Sequence, residues 1–413
     1  MKSFVAAVTA AASCVLATPV SAQLTPTSLT LDQALVAAGA AAPAADAATA
    51  ALAAAQAARD VAALRPNPQF QAQVENIAGS GAYAGLRSAE TTIGVSIPLE
   101  LGGKRGARVA AADAALLRSR LQAAIAGADI RQQVTQLFVE AVAAERRAMI
   151  ATDQLRIAAD AARVAGLRVE AGRASPLERQ RAEVARLNAE AQVERTRRLA
   201  RAAAQNLAHR IGRDPATLDL AWLDTLPPAG PPRPIEIERT LALAAADAEL
   251  AVADAGVRLA RSQRVPDLAI GPALRRLSQT GDTAAVISVA IPIPVFDTGR
   301  RAVEQAAAER TRADAQRRAT RLDVEQAITD AQAEADNAAV TARTASGPAL
   351  AAAQEAARIA RIGYREGKFA QLDLLDAERT LAETRLAAID ALAAYRLAHA
   401  RLQRLTAPAP EGN

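Results

Sequence analysis

The residue types that could do chemistry gather in one stretch, Tyr364-Arg365-Glu366-Gly367-Lys368-Phe369-Ala370-Gln371-Leu372-Asp373-Leu374-Leu375-Asp376-Ala377-Glu378. Asp373 and Asp376 stand at i and i+3, so on a helix they share one face. Carboxylates on one face can attract cations and repel anions where they line a pore. They can also do no more than stabilise a helix start, where negative charge is favoured. For Asp373, so close to the turn, the capping role is the simpler of the two. Gly367, like Gly172 in Ala171-Gly172-Arg173, permits a chain reversal.

Other candidate chemistries fail on spacing. His209 and His399 are the only histidines, and neither has a His, Cys or Met partner at ligand spacing. Both read as ordinary helix-face residues. Gly79-Ser80-Gly81 with Gly85 lies between strands and does not open a helix as a dinucleotide loop does, and Gly102-Gly103-Lys104-Arg105 lacks the spacing and Ser/Thr of a phosphate loop. Without a pocket-forming context, no Asp or Glu is a candidate acid or base. No catalytic residue, cofactor or metal site is assigned, and an enzyme is not expected. The net charge of +5 is carried by arginine, since the only lysines are Lys2, Lys104 and Lys368. Acids and bases are interspersed, with no basic arm or basic–aromatic set, so they read as mixed solvated helix faces and a nucleic-acid surface is not expected.

The 413-residue chain is 51% hydrophobic but only 2% aromatic, and alanine exceeds a quarter of it. Such a composition reads as long helices. Residues 1–22 form an expected signal peptide: Lys2, an apolar run from Phe4 to Ala17, and the small-residue cleavage site Val20-Ser21-Ala22. Cys14, the only cysteine, lies within that run; lipid attachment there is a competing reading, with Ala11-Ala12-Ser13 a poor lipobox. No later stretch of 18 uncharged apolar residues marks a membrane helix.

Landmarks then recur about 195–200 residues apart, which points to duplication. Arg65-Pro66-Asn67-Pro68 corresponds to Arg264-Val265-Pro266-Asp267, Val95-Ser96-Ile97-Pro98-Leu99 to Ile291-Pro292-Ile293-Pro294-Val295, and Gly103-Lys104-Arg105 to Gly299-Arg300-Arg301. The expected units are a first repeat (23–211), a Pro-rich linker or equatorial segment (212–234), a second repeat (235–406) and a tail (407–413). Helices are expected over 30–64, 104–169, 175–210, 235–264, 300–363 and 370–406. Seams stepping by four and three, such as Ile130, Val134, Leu137, Ala141, Ala144, Ala148 and Ala151, mark coiled-coil packing. A 104–169 helix would reach on the order of 100 Å, too long for a compact domain.

Four runs alternate with period two. Phe70, Ala72 and Val74 alternate with Gln69, Gln71, Gln73 and Glu75; Ile93, Val95, Ile97 and Leu99 with Gly94, Ser96 and Pro98. Leu268 and Ile270 open a third run, and Ile287, Val289, Ile291 and Ile293 form a fourth. Each is read as about 9–11 residues, enough for a tilted membrane strand. Four strands cannot close a barrel, and lipid cannot satisfy an open edge. Three chains would pool twelve. The fold class is thus mainly α with a small β part: coiled-coil hairpins in two repeats, plus strands for a trimeric twelve-stranded transmembrane barrel.

This layout resembles the TolC-type outer-membrane efflux proteins, and Leu99-Glu100-Leu101-Gly102-Gly103-Lys104-Arg105 is most similar to the cobalt–zinc–cadmium branch. The resemblance implies a homotrimeric channel in the outer membrane that extends into the periplasm. It would export substrates, heavy-metal cations first among them, with a periplasmic adaptor and an inner-membrane resistance–nodulation–division pump. Drug efflux, type I protein secretion and a periplasmic coiled-coil adaptor are the alternatives; the two equivalent hairpins count against the last. The resemblance also implies a periplasmic gate of Tyr364, Asp373, Asp376 and Glu178, with Glu178 bonding the tyrosine. Adaptor-contacting tips would comprise Gly172, Arg173, Ser175, Gly367, Lys368 and Gln371. Phe369 stands where relatives carry an arginine, which leaves the charged half of that network without its usual member.

Overall fold

A computed structural model describes residues 28–213, 217–226, 235–366 and 368–410. The expected signal peptide with Cys14, residues 214–216 and 227–234 of the Pro-rich stretch, Gly367 and the end of the tail lie outside them. The elements run α1 (Leu31–Ala41), α2 (Pro43–Ala62), β1 (Gln69–Glu75), β2 (Glu90–Leu99), α3 (Lys104–Glu170), α4 (Pro176–Ile211), α5 (Leu241–Gln263), β3 (Leu268–Leu277), β4 (Thr283–Ala290), α6 (Arg300–Thr344), α7 (Leu350–Arg365) and α8 (Gln371–Leu405).

The 67 residues of α3 contain no proline and many alanines, so nothing interrupts the backbone ladder. At 1.5 Å per residue the helix spans about 100 Å. It starts after Gly103 and stops before Gly172, both at positive φ. Its seam is buried at Ile130, Val134, Ala141, Ala144, Ala148 and Ala151. Around it two layers form. Near the sheet, α2, α3, α5 and α6 lie side by side, tied by Arg59–Asp113, Arg118–Glu249 and Arg310–Asp254 ion pairs. Away from the sheet, α3 pairs with α4 and α7 with α8 as two antiparallel hairpins. No single described helix is long and apolar enough to cross a membrane.

The largest core lies midway, where α1, α3, α4 and α8 meet residues 217–226. Phe138 meets Trp222 edge-on with centroids 5.2 Å apart. The Arg396 guanidinium stacks 4.2 Å over the indole and donates to the Trp222 carbonyl at 2.6 Å. Burial lowers the Arg396 pKa, and burial followed by the Arg396 charge does the same to His399.

The strands form one antiparallel sheet in the order β1-β2-β3-β4. Register aligns the apolar sets: Phe70 opposite Val95, Ile93 opposite Leu274, Ile270 opposite Val289. One face is therefore apolar except for Thr91, Arg276 and Thr283 at its outer rim, yet Phe70 is 72% and Ile287 76% exposed. The other face carries Gln69, Gln71, Gln73, Thr92, Ser96 and Ser288 among small residues. There Gly94 is required, because a Cβ would come within 2.5 Å of the Ala273 Cβ.

Several boundaries differ from expectation. The 30–64 helix breaks at Ala42, where Pro43 starts α2 at an angle of 52°. The 235–264 helix begins as a separate turn at Ile237–Arg239. The 300–363 helix is interrupted by a π-helical turn at Ala345–Ala349, where Pro348 has no N–H to donate. The strands are 7 to 10 residues rather than 9–11. The fourth ends at Ala290, since Pro292 and Pro294 cannot donate to a ladder.

Candidate functional site: the hairpin tips and the groove between them

The two hairpin turns lie together at the end of the molecule away from the sheet. The first is closed by Arg173 N–H donating to the Arg168 carbonyl at 2.8 Å and Gly172 N–H to Val169 at 3.0 Å. Gly172 adopts φ +68°, a region that disfavours side chains. Ser175 stands at the N-cap of α4, ahead of Pro176, and puts Glu178 in the first helical turn. The second turn is closed by Lys368 N–H donating to the Gly363 carbonyl at 2.8 Å. Phe369 packs against Gly363, where a Cβ would fall 2.2 Å from its ring. Phe369 is thus an aromatic wedge that fixes the turn.

A groove of about 1050 Å³ separates the hairpins. Tyr364, Glu178, Ser175 and Phe369 all line it, as does Arg168, a residue of the last turns of α3 that the sequence did not single out. The Arg168 Nη1 is 3.4 Å from the Tyr364 hydroxyl oxygen and 3.5 Å from Glu178 Oε1. The guanidinium thus joins α7 to both helices of the other hairpin. Glu178 meets the tyrosine through Arg168 rather than directly, and its buried Oε1 has no hydrogen bond among the described residues. The basic member of the network comes from α3 instead of from position 369. No local pattern could have shown this, because Arg168 and Tyr364 are 196 residues apart.

Asp373 and Asp376 are not brought into that groove. Both are exposed in the first turns of α8. Asp373 Oδ2 accepts the Ala370 N–H at 2.9 Å, which is the capping role, and Asp376 pairs with Arg379 at 3.1 Å. The buried acid of α8 is Glu378, 4% exposed, held by both arms of Arg361 across the hairpin. That hydrogen bond raises the Arg361 pKa against the opposing effect of burial. The pair flanks the turn seventeen residues apart, a spacing that could have pointed to it. At the tips Arg173, Ser175 and Lys368 are exposed, and Lys368 pairs with Glu366 at 2.7 Å. Gln371 opens α8. Among the described residues no cluster of His, Cys, Asp and Glu could hold a metal ion.

Comparison with known proteins places this geometry. Residues 34–213 and 235–407 match the outer membrane efflux protein family. The cobalt-zinc-cadmium resistance protein CzcC of Cupriavidus metallidurans is 34% identical over 331 residues, 79% of this chain and 77% of that protein. The nickel and cobalt resistance protein CnrC of the same organism is 32% identical over 61% of each chain. In three dimensions the chain is similar to CusC, with TM-score 0.75 and 18% identity over 92% of each chain. The outer membrane protein VceC of Vibrio cholerae gives TM-score 0.72 and 20% identity, covering 92% of this chain and 96% of VceC. The exposed apolar sheet face and the long paired hairpins are thus the membrane and periplasmic parts of one subunit, and the chain belongs to the outer membrane efflux protein family.

Proposed function

We propose that three copies of this chain close a barrel and a periplasmic helical tunnel through which heavy-metal cations leave the cell. The sheet carries the reading: its apolar face is exposed, its other face is polar, and the outer edges of β1 and β4 have no partner among the described residues. Lipid offers no hydrogen-bond partner to unpaired backbone groups, so these edges must meet other copies. Three four-stranded sheets make a twelve-stranded barrel, within the range of outer-membrane barrels. Joining edges would also lengthen β1 and β4, the shortest strands in the isolated chain.

The tips form the gate. Arg168, Tyr364 and Glu178 hold the two hairpins together in the closed state, and release of that link lets α7 and α8 move away from α3 and α4. Asp373 and Asp376, repeated around the axis, give the entrance a negative field that favours cations. Asp373 does this while capping its helix. The tip residues Gly172, Arg173, Ser175, Gly367, Lys368 and Gln371 meet a periplasmic adaptor, with Leu177 and Leu372 as exposed apolar contacts nearby. Energy comes from an inner-membrane pump of the resistance–nodulation–division class. Cation cargo is supported by the resistance proteins to which the chain is similar.

Deleting the gene and plating on zinc, cobalt, cadmium, nickel and a drug panel tests the cargo. Sensitivity to divalent metals is expected; sensitivity confined to drugs would overturn the metal reading. Purified protein should run as a heat-modifiable trimer and conduct ions in planar bilayers, and a non-conducting monomer would overturn the channel itself.

A further inference from the structure

At the end of the sheet away from the helices, three side chains from three adjacent strands converge. The Arg275 guanidinium pairs with Glu75 at 3.2 Å and with Glu90 at 2.8 Å, and its Nε donates to the Thr92 hydroxyl at 3.0 Å. Register places all of them on the polar face: Glu75 lies opposite Glu90, and Thr92 opposite Arg275. The four strands contain only four charged residues, these three and Arg276. Arg276 pairs with Thr91 and Thr283, so it lies on the opposite, apolar face. The polar wall is otherwise built of Gln, Thr, Ser, Gly and Ala, with Pro98, Val286 and Leu277. Its whole fixed charge is thus collected at one level, and no other wall charge dilutes or offsets it.

We propose that Glu75, Glu90 and Arg275 form an ion-selective ring at the outer mouth of the channel, with Arg275 setting its strength. This rests on the channel reading above. Two carboxylates face one guanidinium, so each copy contributes one net negative charge to the ring. Each of the three side chains keeps between a quarter and two fifths of its surface exposed, so the charges are open to solvent and to passing ions. By drawing both carboxylates to the wall, Arg275 keeps them from projecting into the lumen. It also leaves the ring only weakly negative, which favours cations without holding them. The ring is separate from Asp373 and Asp376, which lie at the far end of the long helices, so ions meet two negative levels in series.

The competing reading is a staple that only joins three strands, and selectivity separates the two. Reversal potentials under a salt gradient are measured in planar bilayers for the parent channel and for Arg275→Gln, Glu75→Gln, Glu75→Gln with Glu90→Gln, and Arg276→Gln. Heat-modifiable trimer is followed in parallel. Arg275→Gln should shift the reversal potential toward the cation limit, and the double glutamate variant should shift it the opposite way. Arg276→Gln, on the other face, should leave it in place. The shifts should shrink as salt rises, since the screening length falls from about 30 Å at 0.01 M to about 10 Å at 0.1 M. Should Arg275→Gln or the double variant yield no trimer, the Glu75→Gln shift away from cations decides. Conducting variants with unchanged reversal potentials would overturn the ring and leave the channel standing. A parent protein that does not conduct would remove the channel reading first.

Discussion

Replacing Arg168 by glutamine should raise the open probability of the channel by about 10- to 100-fold. Arg168 spans the groove between the hairpins, touching Tyr364 on one side and Glu178 on the other. Both contacts are long, and the two ionic side chains are 40% and 31% exposed. Solvent screens such a pair, so it contributes about 0.5–1 kcal/mol per subunit. Concerted opening of three subunits breaks three links, about 1.5–3 kcal/mol in all, and about 1.4 kcal/mol corresponds to a factor of ten. Glutamine keeps a donor for the tyrosine but removes the charge facing Glu178. Single-channel recording in planar bilayers at low salt reads the effect directly. Raising the salt should open the parent channel but not the variant, because the screened interaction is already missing there. Equal open probability in parent and Arg168→Gln would refute the reasoning and reduce Arg168 to a surface contact.

Three further outcomes follow from the same geometry. Asp373→Ala with Asp376→Ala should weaken cation selectivity, read as a reversal potential, and the loss of the Asp373 cap should cost about 0.5–1 kcal/mol of local hairpin stability; Asp373→Asn, which keeps an acceptor for Ala370, should restore most of the cap but not the charge. Gly94→Val should cost about 1–3 kcal/mol by overpacking against Ala273 and the Pro272 carbonyl, seen as a lower temperature of trimer dissociation on gels. His399, held below its ordinary pKa by burial and by Arg396, stays neutral in the fold, so the unfolded chain binds the proton first as pH falls. Stability should therefore be lost downward from about pH 6.5, the ordinary histidine value, and His399→Gln should flatten that limb in thermal melts.

Much of the fold was legible because two periodicities are local. The four-and-three seam of α3, the period-two strands and the turn glycines Gly103 and Gly172 each report a backbone state within a few residues. Pro43, Pro292, Pro294 and the Gly347-Pro348 pair were also local signals, and they produced the bend after α1, the end of β4 and the π-turn. Their effect was hidden by apolar or alanine-rich patterns continuing through them. The tip was only partly legible. The i, i+3 spacing of Asp373 and Asp376 identified a shared exposed face, and the nearness of Asp373 to the turn favoured the cap that is observed. Arg168 was invisible, because its meaning arises only when α3 and α7 are laid together. The Glu75–Glu90–Arg275 cluster depends in the same way on strand register, which no single strand reveals.

The period-two sheet facing lipid on one side and water on the other is most directly tested by single cysteines along β2. On a Cys14→Ser background the protein has no other thiol. Each of residues 91 to 98 except Gly94 is replaced in turn, and the protein in outer membranes is treated with a membrane-impermeant maleimide. Labelling should alternate, strong at Thr92 and Ser96 and weak at Ile93, Val95 and Ile97. Uniform labelling along the segment would contradict a membrane barrel, and the efflux channel with it.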